Sequence, residues 1–177
     1  MSDKQRHMVG SFPVVLVSGA RQVGKTTLVR HLLPHFDYVA LDPTVDLQNA
    51  RQEPDLFLRN HPPPLVLDEI QYAPEVVATL KRRVDDAESR PGQYVVTGSQ
   101  QWQVMKSLSE SLTGRAAFLD LDGFSLPEMA ERTGVPGWLE QWIASPADLV
   151  ATQPTAESTA AQPLWDWIWR GFLPGIQ

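Results

Sequence analysis

Gly19-Ala20-Arg21-Gln22-Val23-Gly24-Lys25-Thr26 sets two glycines, a lysine and a hydroxyl residue at the spacing G-x-x-x-x-G-K-[ST]. Those types at that spacing suit the holding of a polyphosphate. Several backbone N–H groups must point inward around the anion, and glycine lets the chain bend that tightly without a Cβ clash. The loop opens a helix, whose N-terminal partial positive charge adds to the attraction. Lys25 would reach the β and γ phosphates, and the Thr26 hydroxyl would ligate Mg²⁺. The candidate nucleotide contacts are therefore Gly19, Ala20, Arg21, Gln22, Val23, Gly24, Lys25, Thr26 and Thr27. A chance glycine turn is the competing reading, but such matches arise in roughly one chain in a hundred of this length.

A second group lies at Leu65-Val-Leu67-Asp68-Glu69, an apolar run ending in two carboxylates. In a parallel sheet, ligands sit at the carboxyl ends of strands, beside the first βα turn. Asp68 is then placed to hold Mg²⁺ with Thr26, and Glu69 to polarise a water for attack on the γ phosphate. The glutamate separates reaction classes. A kinase activates its acceptor hydroxyl and excludes water, whereas a hydrolase needs a base for water itself. Asp68-Glu69 favours hydrolysis. The guanine reader Asn-Lys-x-Asp is absent, and Asp120-Leu-Asp-Gly123 imitates a GTPase D-x-x-G only after the wrong strand.

Two further sites stand near this pair. Val96-Thr97-Gly98-Ser99-Gln100 ends an apolar run in polar groups, so Thr97, Ser99 or Gln100 would sense the γ phosphate or orient the water. An ordinary strand-to-helix cap by Ser99 is the plainer reading. Gly114-Arg115 precedes the last apolar run, and an arginine delivered to the γ phosphate, here from a neighbouring subunit, would stabilise transition-state charge. A solvated arginine is the plainer reading.

The elements that must position these groups follow from patterning. Val14–Val17, Phe36–Leu41, Leu65–Leu67, Tyr94–Val96 and Ala116–Leu121 read as five strands, the first continuous in its apolar residues, as in a strand covered on both faces. Between them lie predicted helices at about 25–33, over 44–60 with a break near Pro54, at 74–88 with Val76, Val77, Leu80 and Val84 recurring at helical spacing, and at 102–112. Strands alternating with helical crossovers imply an α/β fold, a three-layer α/β/α P-loop NTPase core over 1–123. After it come a short helical extension at 124–144, a linker at 145–163 rich in Ser, Pro, Ala, Thr and Gln, and an apolar segment at 164–177 carrying Trp165, Trp167 and Trp169.

Bulk properties exclude other classes. The 177 residues suit one compact domain, and 42% hydrophobic content is enough for a core. Fifteen basic against twenty-one acidic residues give a net charge of −6, so no global basic field draws the protein to nucleic acid. The absence of cysteine removes disulfides and thiolate metal sites, in keeping with a reducing cytoplasm. No apolar run approaches the roughly twenty residues of a membrane span, and the run after Lys4 and Arg6 is short for a signal peptide. A soluble cytoplasmic protein is the expectation. His31 and His35 have Pro34 between them and no carboxylate companion, which disfavours a metal pair. Lys81-Arg82-Arg83 reads as a solvated helix face, with DNA contact a weak alternative.

Gly19-Ala-Arg-Gln-Val-Gly-Lys-Thr-Thr-Leu28, Leu67-Asp-Glu-Ile-Gln71, Thr97-Gly-Ser-Gln100 and Ser109-Glu-Ser-Leu-Thr-Gly-Arg115 together resemble the AAA-type, archaeal-like P-loop ATPase domain family of bacteria and archaea. The resemblance covers roughly residues 12–131. It implies ATP with Mg²⁺ as the ligand, a mostly parallel sheet in the order 5-1-4-3-2, and the nucleotide and metal positions at Lys25, Thr26, Asp68 and Glu69. Arg115 matches the family's arginine before the fifth strand, and acting in trans it would require a homo-oligomer. Members usually carry a C-terminal domain of unknown function. Arg170-Gly-Phe-Leu-Pro174 resembles the segment that leads into it, so a truncated product lacking that domain is expected. Asp122-Gly123 also departs from the more usual apolar and proline residues before Phe124-Ser-Leu-Pro-Glu128. The alternatives are a nucleotide-binding switch with negligible turnover and, less favoured for want of an arginine-rich lid, a small-molecule kinase. Leu164, Trp165, Ile168, Trp169 and Phe172 would coat a short helix nearly all round, and such a helix must bury itself. Deletion of residues 160–177 is therefore expected to change solubility more than nucleotide affinity, as read by sedimentation and nucleotide titration of the same preparation.

Overall fold

A computed structural model describes residues 3–43, 47–86, 90–99, 110–129, 134, 138–145, 147 and 171–174. Two units divide the chain, Met1–Asp122 and Gly123–Gln177. The first holds five strands: β1 (Val14–Gly19), β2 (Asp37–Ala40), β3 (Leu65–Asp68), β4 (Tyr94–Ser99) and β5 (Ala116–Leu121). They form one sheet in the order β2-β3-β4-β1-β5, which is the expected 5-1-4-3-2 read from the other edge. Each neighbouring pair is parallel.

The continuous apolar runs divide cleanly between two faces. Val14, Leu16, Leu65, Leu67, Tyr94, Val96 and Ala116 turn to one side, where they meet Ala50, Leu58, Val76, Val77, Leu80 and Val84. These come from α3 (Gln48–Gln52), α4 (Pro54–Asn60) and α5 (Glu75–Asp86). Val15, Val17, Val66, Val95 and Ala117 turn to the other side, against Val29 of α2 (Lys25–Leu32) and Met8 and Val9 of α1 (Asp3–Ser11). Successive strand residues face opposite ways, so burial of both parities requires helices on both faces. The result is the three-layer α/β/α arrangement.

Two departures from the sequence reading have physical reasons. The strands run further than their apolar cores. Ser18 and Gly19 keep register with Gly98 and Ser99, so the ladder continues into the polar residues that end it. Helix α1 is polar by composition and gives no helical pattern of its own. Its tertiary support is the packing of Met8 and Val9, and the chain then turns into β1 with the Gly92 N–H donating to the Phe12 carbonyl at 2.9 Å.

The basic cluster on α5 also differs from expectation. Arg83 is half-buried and donates to the main-chain oxygens of Leu58 at 2.9 Å and Asp55 at 2.8 Å, while Arg82 pairs with the Asp55 carboxylate. Two of its three cations thus tie α5 to α4 instead of forming a free face. The sequence-derived helix at 102–112 is described only at 110–112. The linker at 145–163 is described only at 145 and 147, and the tryptophans at 165, 167 and 169 lie outside the described residues.

In the second unit, α6 (Leu126–Met129) and α7 (Trp138–Ala144) are short. Ser125 and Glu128 cap α6 reciprocally. The Ser125 N–H donates to Glu128 Oε2 at 2.7 Å, and the Glu128 N–H returns to Ser125 Oγ at 3.4 Å. The Ser125 N–H and the Ser125 hydroxyl, both donating to Oε2, hold the Glu128 carboxyl below its ordinary range. The Phe124 N–H donates to the Phe172 carbonyl at 2.8 Å, so residues far apart in sequence meet at the start of this unit.

Gly19 ends β1 where β5 comes closest. A Cβ there would run into the Leu121 carbonyl and meet Val23 Cγ1 at 3.0 Å. Because the obstacle is backbone, relief requires strand movement. Gly19→Ala is expected to destabilise the first unit by about 1–3 kcal/mol, measured as a lowered urea midpoint at unchanged slope.

Candidate functional site

Three strands end side by side at one edge of the sheet. β4 lies between β1 and β3, so Gly19, Ser99 and Asp68 are the terminal residues of neighbouring strands. From Gly19 the chain bends through Gln22 at φ 63° and Gly24 at φ 96° before α2 begins at Lys25. Positive φ at Gly24 is the conformation glycine adopts without a Cβ penalty. Val23 is buried and anchors the turn from beneath, whereas Ala20, Arg21 and Gln22 are exposed.

Lys25 is only 5% exposed. Its Nζ donates to the carbonyls of Gly19 at 3.0 Å and Ala20 at 2.7 Å. Both partners are neutral, and among the described residues no carboxylate forms an ion pair with it. A buried cation without a counter-charge is costly, so the loop is electrostatically incomplete in a way that an anion would satisfy.

Asp68 is 3% exposed and accepts three hydroxyl bonds. Thr26 Oγ1 donates to Oδ2 at 2.7 Å, Tyr38 Oη donates to the same oxygen, and Thr97 Oγ1 donates to Oδ1. Hard oxygen donors from Thr26 and Asp68 therefore stand together, the set that Mg²⁺ prefers. Tyr38 reaches Asp68 because β2 pairs with β3, Ala40 opposite Asp68. Burial, the hydrogen bond to Asp68 and the charge of Asp68 together push the Tyr38 hydroxyl up to about 12 from its ordinary 10.0. A raised phenol favours the protonated native state, so the stability it lends is present below pH 10 and is lost as pH rises toward 12. Arg30, one turn beyond Thr26 on α2, lies over the Tyr38 ring at 4.1 Å.

Glu69 follows with φ 62° and ψ 47°, a left-handed conformation rare outside glycine, Asn and Asp. Its N–H donates to Thr97 Oγ1 at 3.2 Å, so Thr97 serves both acidic residues. Gln71, on the 3₁₀ turn Ile70–Tyr72, donates from Nε2 to the Glu69 carboxylate and accepts the Ser99 N–H at 3.2 Å. The Ser99 hydroxyl is buried without a hydrogen-bond partner among the described residues.

Residues 11–130 match a family model described as an AAA domain. The chain belongs to the AAA domain family. The uncharacterized proteins Mb2031c of Mycobacterium bovis and Rv2008c of Mycobacterium tuberculosis are each 31% identical to it over 130 residues. The match covers 72% of this chain and 29% of each relative, so the chain spans less than a third of their length. Among solved structures, the Walker-type ATPase of Pyrococcus abyssi is similar at TM-score 0.48 and 15% identity, over 80% of this chain and 60% of that one. The P-loop NTPase domain of a sigma-54 transport activator from E. coli is similar at TM-score 0.44 and 20% identity, over 66% and 92%. As an AAA domain of the P-loop NTPase class, the chain has a nucleotide-binding core.

In this AAA domain, Lys25, Thr26, Asp68, Glu69, Thr97 and Ser99 gather at one sheet edge, and Arg115 does not. Arg115 precedes β5 at the opposite end, six residues from Leu121, which pairs with Gly19; that separation is roughly 20 Å of strand. It pairs with Asp85 of α5 and donates to the Thr113 carbonyl at 3.0 Å. Its own phosphate loop is out of reach. Asp120 is taken by the Ser18 hydroxyl across β1 and β5, on the far side of β1 from Asp68, consistent with discounting the D-x-x-G imitation. Gln100 lies outside the described residues. His31 and His35 belong to no cluster of three or more metal-ligating side chains among the described residues. In the same residues, no helix is long and apolar enough to cross a membrane.

Tyr38 and Gln71 were not singled out by sequence reasoning. A tyrosine in a strand reads as β propensity, and its reach to Asp68 depends on pairing between β2 and β3. Gln71 fell within a quoted motif, but its bonds depend on the 3₁₀ turn. Thr97→Val keeps the shape of the buried site while leaving the Glu69 N–H without its acceptor. It is expected to cost about 1–3 kcal/mol by chemical denaturation, with Thr97→Ser recovering most of the loss.

Proposed function

We propose that this AAA domain binds ATP with Mg²⁺ and hydrolyses it, and one observation carries the reading. A buried ammonium with only carbonyl partners, Lys25, stands next to a hydroxyl and carboxylate already bonded at 2.7 Å, Thr26 and Asp68. The donors fit the ligand. The bent backbone from Gly19 to Thr27 would receive the phosphates, and Lys25 would exchange its carbonyls for β and γ oxygens. Thr26 and Asp68 would hold Mg²⁺, which when bound would supply charge neutralisation for the triphosphate.

The remaining residues act on water and on the phosphate end. Glu69 orients and deprotonates the attacking water, in a half-buried position beside a buried aspartate. Thr97 sets the geometry of both acids. Ser99, with its hydroxyl unspent, would contact the γ phosphate or the water from β4, between the other two strands. Arg115 would reach the γ phosphate of an adjacent subunit, at an interface between copies of this chain. A soluble, cytoplasmic location fits the reading.

The second reading is a nucleotide-binding switch with negligible turnover. It is favoured by the pairing of Arg115 with Asp85 at the far end of the sheet, which leaves a lone chain without that cation at its γ phosphate. Phosphate release separates the two. Lys25→Ala should lose both binding and hydrolysis. Glu69→Gln should keep affinity for Mg·ATP while slowing release by about a hundredfold or more. Specific activity should rise with protein concentration, and Arg115→Ala should abolish that rise. A wild type that binds Mg·ATP and releases no phosphate at any concentration would establish the switch.

A further inference from the structure

We propose that Gln71 is a positioning residue, whose side-chain amide sets the Glu69 carboxylate relative to the γ-phosphate end of the site. The proposal rests on the hydrolysis reading and deepens it. Glu69 sits in a left-handed backbone conformation at the start of the 3₁₀ turn, so its side chain leaves the main chain in a direction no strand or helix would give. Its N–H is committed to Thr97, which fixes the backbone, but the carboxylate itself needs a separate restraint. Among the described residues, the recorded side-chain donor to that carboxylate is Gln71 Nε2.

The other end of the amide gives the restraint its direction. Gln71 Oε1 accepts the Ser99 N–H at 3.2 Å, and Ser99 pairs in register with Gly19, where the phosphate loop begins. Two opposed hydrogen bonds on one planar amide leave little freedom of rotation, and they reference Glu69 to the strand beside the loop. The Ser99 hydroxyl remains unpartnered at the same tip. The two side-chain bonds of Gln71 go to the Glu69 carboxylate and the Ser99 main chain. It acts through Glu69, as partners behind a reacting side chain commonly do.

Gln71→Glu separates positioning from bracing. The new carboxylate still accepts the Ser99 N–H and keeps the length of the side chain, but it turns a carboxylate oxygen toward Glu69 where an N–H donor stood. The expected result is a fall in kcat for phosphate release of about tenfold or more, with KM for Mg·ATP changed by less than about twofold and the melting temperature retained. In a Glu69→Gln background, adding Gln71→Glu should alter the residual rate by less than about twofold, because both act on one step. In the nucleotide-free protein, Glu69→Ala should shift the Gln71 side-chain amide resonances, a readout independent of turnover. An unchanged kcat in Gln71→Glu, an undiminished loss in the Glu69→Gln background, or unmoved amide resonances would each overturn the assignment while leaving hydrolysis standing. Absence of phosphate release from the wild type would instead overturn the hydrolysis reading, and this assignment with it.

Discussion

Thr26 and Asp68 are 42 residues apart and share a hydrogen bond of 2.7 Å. The rest of the site depends on that meeting. It requires β1 and β3 to run parallel with β4 between them, so that both strands deliver their carboxyl ends to one edge. It requires the turn after Gly19 to bend back tightly enough for α2 to start beside β3. It also requires the buried Asp68 to be compensated, since a desolvated carboxylate without donors costs several kcal/mol. Three hydroxyls supply that compensation, from α2, β2 and β4. The carboxylate thus acts as the node through which four elements are held in register. Lys25, by contrast, is left with neutral partners, an asymmetry between a satisfied acid and an uncompensated cation that an anion at the loop would relieve.

Strain is placed where the chemistry would occur. Gln22 and Glu69 both hold positive φ without being glycine, one within the phosphate loop and one at the acidic pair. Such conformations cost of order 1–3 kcal/mol each and persist when their surroundings over-determine them. Around Glu69 the surroundings are visible: Thr97 takes its N–H, Ile70 is fully buried immediately after it, and Gln71 ties its carboxylate to β4. At the opposite end of the sheet the arrangement is plainer. Arg115 and Asp85 form a half-exposed pair, a kind that contributes little to stability.

How far the sequence revealed this follows from how local each signal is. The phosphate loop and the acidic pair were readable because their residues are contiguous and end apolar runs. The three layers were readable because β1 carries no polar alternation, which only double coverage explains. The strand order came with the family resemblance. Tyr38 and Gln71 were not identified, because each gains its role from a long-range pairing or a local turn that no periodicity encodes. Arg83 looked like part of a solvated face for a related reason. Its main-chain acceptors on α4 lie in another segment, and a basic triplet gives no hint of them. Helix α1 was missed because its support is tertiary, through Met8 and Val9.

Isothermal titration calorimetry of the full chain with ATP, in the presence of Mg²⁺ and then of a chelator, tests most directly whether this edge of the sheet is a triphosphate and metal site. Saturable heat with Mg·ATP, weakened by the chelator and lost when Lys25 is replaced by alanine, is the result expected from an uncompensated lysine beside a threonine and aspartate pair. Absence of heat with Mg·ATP, or binding indifferent to Lys25, would contradict it.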